Sequence, residues 1–249
     1  MIYLNNKPIH PTMFPDKTSQ VWRLDSLSDE VRWEFECEAE LFHLAQLVEL
    51  IPQSLRHRLC IPYLPYARQD KDVDNQKTFA LRPFAKIINS FQFDSVVSLD
   101  AHSIIAEQVI NNFQSIFPQE FIYRAMKECR PTILCYPDEG ASIRYSEHLP
   151  MKHINATKVR DPSTGRITKT ELLDSCKDES ILIIDDICDG GRTFEMLSFM
   201  MMNNWAKSVN LYITHGIFSR GTKCLHDAGI GRIFTYRGEQ FGSTYRPWE

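Results

Sequence analysis

Residues 181–193, Ile-Leu-Ile-Ile-Asp185-Asp186-Ile-Cys-Asp189-Gly190-Gly191-Arg192-Thr193, bring acids, glycines, a cation and a hydroxyl to the end of an aliphatic run. Two adjacent carboxylates can accept hydrogen bonds from neighbouring sugar hydroxyls or bind a hydrated metal ion. Glycines leave backbone N–H groups uncovered at a helix start, where the peptide dipoles favour a phosphate. The combination suits a ribose phosphate. Asp and Gly are equally ordinary in a surface turn between strand and helix, and on this segment alone that alternative stays open.

Such a turn needs a strand before it and a helix after it. Ile181–Ile184 suits a strand covered on both faces, and Phe194–Asn203 has amphipathic spacing. The same alternation predicts strands at Leu59–Tyr63, Ser95–Leu99, Thr132–Cys135, Ser208–Ile213 and Arg232–Thr235. Helices are predicted at Glu38–Leu50, Arg82–Ser90, Ile104–Phe113 and Ser142–His148. Short apolar runs between longer amphipathic stretches imply α/β layers around largely parallel sheets. Two α/β halves are expected to meet around residues 114–130, where apolar order weakens. The polar, basic stretch 155–175 reads as an exposed, mobile loop. Ligands of open α/β sheets sit beyond the carboxyl ends of the strands, the expected location of Asp138, Lys158 and Asp186.

At 249 residues and 43% apolar content the chain has material for one large core or two ordinary ones. A formal charge of -4 offers no general electrostatic reason to expect nucleic-acid binding. Seven cysteines, with no C-x-x-C pair, resemble neither a disulfide framework nor a zinc site and point to a reducing compartment. The first residues lack a charged start followed by a long apolar run, and no stretch approaches the roughly 18 apolar residues of a membrane span. These features predict a soluble, cytoplasmic protein.

Four further segments, in order along the chain, resemble the ribose-phosphate diphosphokinase (PRPP synthetase) family. Ile61-Pro-Tyr-Leu-Pro-Tyr-Ala-Arg68-Gln69-Asp70-Lys71 is similar to its P-Y-F-P-Y-A-R-Q-D-R/K signature. Ser98-Leu-Asp100-Ala-His102-Ser is similar to its D-L-H-A metal segment, and Tyr136-Pro137-Asp138-Glu-Gly140 to its S-P-D-x-G segment. Thr214-His215-Gly216-Ile-Phe-Ser219 is similar to T-H-G-V-L-S. The resemblance runs from about residue 14 to about residue 235. It implies two type I phosphoribosyltransferase-like domains, each a mainly parallel sheet flanked by helices. Residues 1–118 would be the N-terminal PRPP-synthetase-like domain, and 119–249 the C-terminal domain with the ribose-phosphate loop.

The activity implied is transfer of a diphosphoryl group from ATP to the anomeric hydroxyl of a ribose 5-phosphate unit, with release of AMP and a requirement for Mg²⁺. By the same resemblance, His102 and Asp138 contact the metal and the triphosphate, and Arg68 and Gln69 contact ATP. Lys158 and Arg160 correspond to the two basic residues of the catalytic K-R-R loop, where Val159 replaces the middle arginine. Asp185, Asp186, Asp189, Gly190, Gly191, Arg192 and Thr193 form the ribose-phosphate loop. Phe14 and Asp16 lie in a segment similar to F-P-D-G-E, which holds the adenine in a neighbouring subunit's site and so implies a homo-oligomer, a dimer or larger. Here Lys17-Thr18 stands in place of Gly-Glu.

The ribose-phosphate loop departs from the usual D-T-A-G-T by losing a hydroxyl and gaining Arg192. The chain also stops soon after Thr214-His215-Gly216. Both features resemble compact viral relatives that act in NAD salvage and convert ADP-ribose to its 1-pyrophosphate, so ADP-ribose stands beside ribose 5-phosphate as acceptor. Two other classes are weighed. A type I phosphoribosyltransferase shares the acid-acid-glycine turn but does not need the Tyr63–Lys71 segment. A non-catalytic regulatory subunit would not need Lys158, Arg160, His102 and Asp138 together. No Walker-type P-loop sequence is present. The aromatic tail, Phe234–Glu249, suits either a subunit contact or a packed terminus.

Overall fold

Continuous burial on both faces is what the aliphatic run at 181–184 demands, and all four residues are inaccessible, with a parallel strand paired along each edge. The computed structural model describes residues 1–22, 30–71, 77–160, 167–172 and 174–240. The chain divides into two compact units, Met1–Phe117 and Pro118–Glu249.

In the first unit the strands are β1 (Ile2–Leu4), β2 (Lys7–Pro8), β3 (Thr12–Met13), β4 (Ser19–Gln20), β5 (Glu30–Trp33), β6 (Arg58–Cys60), β7 (Ser95–Leu99) and β8 (Phe113–Ile116). The helices are α1 (Ala39–Leu50), α2 (Leu81–Ser90) and the short α3 (Ala106–Val109). Six strands form one sheet in the order β2-β1-β5-β6-β7-β8. From β5 to β8 it is parallel, and β1 and then β2 extend it by antiparallel pairing. Asn5 and Asn6, both with positive φ, supply the tight turn between β1 and β2. β3 and β4 form a separate hairpin. The core gathers Trp33, Leu44, Leu47, Leu59, Ile61 and Leu81, each essentially inaccessible.

In the second unit the helices are α4 (Gln119–Cys129), α5 (Glu139–Tyr145), α6 (Arg192–Asn203) and α7 (Lys223–Asp227). Its strands are β9 (Ile133–Tyr136), β10 (His153–Arg160), β11 (Ile167–Leu172), β12 (Ser180–Cys188), β13 (Ser208–Gly216), β14 (Ile230–Thr235) and β15 (Gly238–Gln240). The sheet order is β11-β10-β9-β12-β13-β14-β15, parallel except at the two outermost pairs. Each unit therefore has a mainly parallel sheet flanked by helices, the α/β class read from the pattern of apolar runs. Phe194, Leu197 and Met201 of α6 pack with Ile181 and Ile183 of β12 and Leu211 and Ile213 of β13.

Three local expectations are corrected. The helix expected at Ile104–Phe113 stops after Val109, and its last residue instead begins β8. Asn112 takes a left-handed φ of 53°, and the N–H of Asn111 donates to Asn89 Oδ1 at 2.8 Å, so the chain turns where periodicity alone would continue. The loop expected at 155–175 is largely a hairpin of β10 and β11, with 161–166 and 173 outside the described residues. β10 begins beside β9 and then goes on to pair with β11 as a two-stranded arm, an arrangement set by distant pairing partners. The strand expected at Ile181–Ile184 continues to Cys188 because β13 also continues to Gly216 and keeps it paired. Of the aromatic tail, residues 241–249 lie outside the described residues.

The end of β13 has a close approach that only glycine accommodates. A methyl group on Gly216 would lie 2.0 Å from Cε2 of the buried Phe218 ring. We expect Gly216→Ala to destabilise the protein by about 1–3 kcal/mol, the usual cost of overpacking, and to lower the melting temperature measurably. An unchanged melting curve would mean that the Phe218 ring moves aside at no cost.

Candidate functional site

The acids at the end of β12 are strand residues rather than turn residues, and that decides which way they face. Successive strand side chains alternate between faces. Asp186 faces α5, and Asp185 Oδ1 accepts the N–H of Asp186 at 3.0 Å. Asp186 is 4% exposed and accepts a charge-assisted hydrogen bond from Arg144 of α5, Nη1 to Oδ2, at 2.5 Å. The guanidinium keeps the buried carboxylate compensated, which a charge in this setting requires.

Asp138 ends the β9 connection and caps α5. Its backbone is extended, and Oδ1 accepts the Ala141 N–H at 3.0 Å. Burial holds the Asp185 carboxyl well above the usual carboxylate range, and the charges of Asp186 and Asp138 push it the same way. Three acids thus crowd one end of the sheet, with one arginine offsetting them in part. Among the described residues no group of three or more His, Cys, Asp or Glu side chains forms a ready metal cage. Mg²⁺ keeps several waters and takes one or two carboxylates together with substrate phosphates, so this crowded oxygen-rich edge fits it without a cage.

Beyond β12, Asp189 is exposed, and Gly191 caps α6 at a φ of 78°. A Cβ on Gly191 would meet Leu225 Cδ2 at 2.9 Å, so both conformation and space call for glycine. The N–H groups of Phe194 and Glu195 close onto the Gly191 carbonyl at 2.9 and 3.0 Å. The earlier N–H groups of the first turn have no carbonyl of their own helix to donate to, which makes this end receptive to an anion. Arg192 is exposed, and Thr193 is half-buried beside it. Arg220, from the loop after β13, donates through Nη1 to the Gly190 carbonyl at 3.1 Å and to Glu195 Oε1 at 2.9 Å.

Lys158 and Arg160 lie on the β10–β11 arm. Lys158 pairs with Thr170 and Arg160 with Ile167, with a bulge between Val159 and Arg160. They are thus framed by backbone pairing, where the sequence pointed to a loop.

In the first unit, Asp100 ends β7 in a left-handed conformation, φ 50°, and is buried. His102 follows, half-buried, and Ser103 Oγ donates to Asp70 Oδ2 at 2.6 Å. That bond ties the segment carrying His102 to the segment carrying Arg68 and Gln69, both exposed. Tyr66 supports the same segment. Its hydroxyl donates to Glu38 at 2.6 Å, and burial together with this bond pushes its pKa up to about 12. Phe14 and Asp16 lie in the turn between β3 and β4. Asp16 Oδ1 accepts from the Thr18 hydroxyl at 2.7 Å and from its N–H at 3.0 Å, which holds its pKa below the usual range. Lys17 takes a φ of 69°, so the hairpin keeps a left-handed bend at the position where the similar motif has glycine. Phe14 remains 41% exposed.

The residues missed by sequence reasoning are Arg144, Ser103, Glu195 and Arg220. Each acts through a partner from a distant segment or through ordinary surface chemistry. Arg144 and Asp186 are 42 positions apart, and no local signal links them. The strand, acids and glycines of 181–193 identified that turn but not the arginines that brace it.

A raised pKa means that the folded protein binds a proton at Asp185 more readily than the unfolded chain does. Its ionisation therefore costs stability as pH rises above the ordinary carboxylate value, and the cost is absent below it. We expect Asp185→Asn, in the presence of a chelator, to melt higher than the parent by on the order of a few degrees at about pH 8, with the gap narrowing toward about pH 4. A lower melting temperature at the higher pH would contradict this account of Asp185.

Comparison with known proteins extends these observations. No family profile matches the chain. It is 22% identical to ribose-phosphate pyrophosphokinase 2 of Schizosaccharomyces pombe over 206 residues, covering 77% of this chain and 64% of that one. It is 26% identical to the ribose-phosphate pyrophosphokinase of Hyphomonas neptunium over 169 residues, covering 64% and 53%. With the corresponding Rhizobium meliloti protein it shares 27% identity over 199 residues, covering 75% and 63%. The chain thus spans between about half and two thirds of the length of these relatives. The crystal structure of phosphoribosylpyrophosphate synthetase from Mycobacterium smegmatis superposes with a TM-score of 0.73 at 18% identity, over 91% of this chain and 78% of that one. In fold the chain is that of a phosphoribosylpyrophosphate synthetase, and in sequence it is similar to the ribose-phosphate pyrophosphokinases.

Proposed function

We propose that this chain is a ribose-phosphate diphosphokinase that makes the 1-diphosphate of ribose 5-phosphate from ATP and releases AMP. The observation that carries the reading is the acid-acid-glycine turn, braced at the end of a buried parallel strand, in a chain similar to proteins named for that reaction. In this reading residues 1–118 supply the ATP-contacting half, through Arg68, Gln69 and His102, with Phe14 and Asp16 holding adenine in a neighbouring subunit of a cytoplasmic homo-oligomer. Residues 119–249 supply the acceptor half.

Each acceptor residue has a defined task. Asp185 and Asp186 accept hydrogen bonds from the ribose hydroxyls, with Asp186 oriented by Arg144. The Gly190, Gly191 and Thr193 backbone, with the Thr193 hydroxyl, receives the 5-phosphate, and Asp189 and Arg192 border that turn. The anomeric hydroxyl oxygen then attacks the β-phosphorus and releases its proton to solvent, the bond from that phosphorus to the oxygen it shares with the α-phosphorus breaks, and AMP leaves with that oxygen. Lys158 and Arg160 stabilise the charge spread over the transferring group, and their arm excludes water. By the resemblance, His102 and Asp138 are the residues that would hold Mg²⁺, directly or through water, and the ion would supply charge neutralisation for the phosphates.

Incubation with ATP, Mg²⁺ and ribose 5-phosphate, followed by mass identification, should give AMP and a ribose bearing a new diphosphate. ADP as the main acceptor-dependent product would overturn the assignment, and consumption of a preformed ribose diphosphate with a nucleobase would mark a phosphoribosyltransferase. A parallel reaction with ADP-ribose tests the second acceptor, which is favoured by the exposed Arg192 and the side-chain-free Gly190-Gly191 pair. If ADP-ribose is used, Arg192→Gly should lower its kcat/KM by roughly one to two orders of magnitude while sparing ribose 5-phosphate.

Lys158→Ala and Arg160→Ala should each reduce kcat by roughly 10- to 150-fold, the rate equivalent of losing a charge-assisted contact, with little change in ATP affinity. A rise in KM at unchanged kcat would mean that the arm binds ground-state phosphate alone.

A further inference from the structure

Gly190 is the residue in the 189–193 turn whose carbonyl is held by a side chain from another segment, and the geometry of that hold has a directional consequence. In a trans peptide the C=O and N–H point in opposite directions. Fixing the Gly190 oxygen on Arg220, at 3.1 Å, therefore turns the Gly191 N–H away from Arg220. The two glycines would otherwise let this peptide rotate and present its carbonyl oxygen, a repulsive group, to an incoming anion.

The loop that carries Arg220 is itself anchored to the turn. The N–H groups of Ile217 and Phe218 both donate to the Cys188 carbonyl, at 2.8 and 3.1 Å, and Gly221 N–H closes onto Phe218 O at 2.7 Å. The loop thus grips carbonyls 188 and 190 on either side of Asp189. Glu195, in the first turn of α6, accepts from the same Nη1 at 2.9 Å and so fixes the guanidinium beside the Gly190 carbonyl. The Arg220 side chain is 55% exposed, and an exposed ion pair of this kind adds little to stability. Its effect is on geometry.

We propose that Arg220 is a positioning residue that sets the peptide between Gly190 and Gly191 with its N–H toward the phosphate of the acceptor, and that Glu195 holds Arg220 in place. The inference rests on the proposed binding of a ribose phosphate at this turn. Arg220 acts through the backbone and makes no contact with the substrate.

The test compares Arg220→Met, Arg220→Lys and Glu195→Gln with the parent protein. The readouts are calorimetric titration with ribose 5-phosphate and with ATP, and the amide resonances of Gly190 and Gly191 in the ligand-free state. Arg220→Met should weaken ribose 5-phosphate binding by roughly 10- to 150-fold, the scale of one hydrogen bond to a charged group, and leave ATP binding within about twofold. Its Gly190 and Gly191 resonances should shift or broaden while the melting curve stays close to that of the parent. Arg220→Lys, which keeps a cation within reach of the carbonyl, should recover most of the affinity, and Glu195→Gln should fall between. Unchanged ribose 5-phosphate affinity with unchanged glycine resonances would overturn the proposal, as would equal weakening of both ligands. If the parent protein binds no ribose 5-phosphate while Arg220→Met still shifts the Gly190 and Gly191 resonances, the functional reading is overturned but the structural role of Arg220 is kept.

Discussion

The parallel ladder between β12 and β13 stays in register from Ser180↔Ser208 to Cys188↔Gly216, and the rest of the second unit's chemistry depends on it. Had β12 ended at Ile184, Asp185 and Asp186 would lie in a turn free to take several directions. Because the ladder continues, both acids are held on paired strand, where Asp186 meets Arg144 of α5 and Asp185 Oδ1 accepts the Asp186 N–H at 3.0 Å. The extension is possible because β13 remains buried almost to its end and because Gly216 lets the Phe218 ring fold back against the strand.

Electrostatic cost accompanies this placement. Three acids at one sheet edge repel one another, and burial penalises Asp185 further. Arg144 compensates Asp186 but comes from a short helix whose start is capped by Asp138, one of the same acids. Acids, cap and arginine therefore form one coupled unit. Such an arrangement lowers stability in the absence of a ligand and leaves a local excess of negative charge, a setting suited to polar hydroxyls and hydrated cations rather than to apolar packing.

The first unit joins its segments with a hydroxyl–carboxylate bond and a backbone bond. Its 61–71 and 98–103 segments are separated by α2, yet the Ser103–Asp70 hydrogen bond joins them, and Leu99 N–H donates to the Pro62 carbonyl at 3.1 Å. Proline at 62 and 65 ends β6 early, and Tyr66 turns the chain at a positive φ of 62°. Arg68 and Gln69 consequently lie on irregular backbone braced by the sheet, the usual way for a rigid scaffold to present adaptable polar groups.

What the sequence by itself determined is the α/β class, the apolar strands at β7, β12 and β13, the amphipathic helices α1, α2 and α6, and the glycine turn after Asp186. All of these rest on local periodicity or on the conformational needs of single residues, which a linear sequence expresses directly. Tertiary structure decided where β12 stops, that 153–172 is largely a two-stranded arm, and that the 104–113 helix breaks to make β8. It also decided which arginines brace the acids and the turn. In each case the outcome depends on a partner far along the chain: β13 for the end of β12, β11 for the arm, β7 for β8, and Asp186 and Gly190 for Arg144 and Arg220. Hydrogen bonds and ion pairs are satisfied by neighbours in space, and the order of residues along a chain does not carry that information.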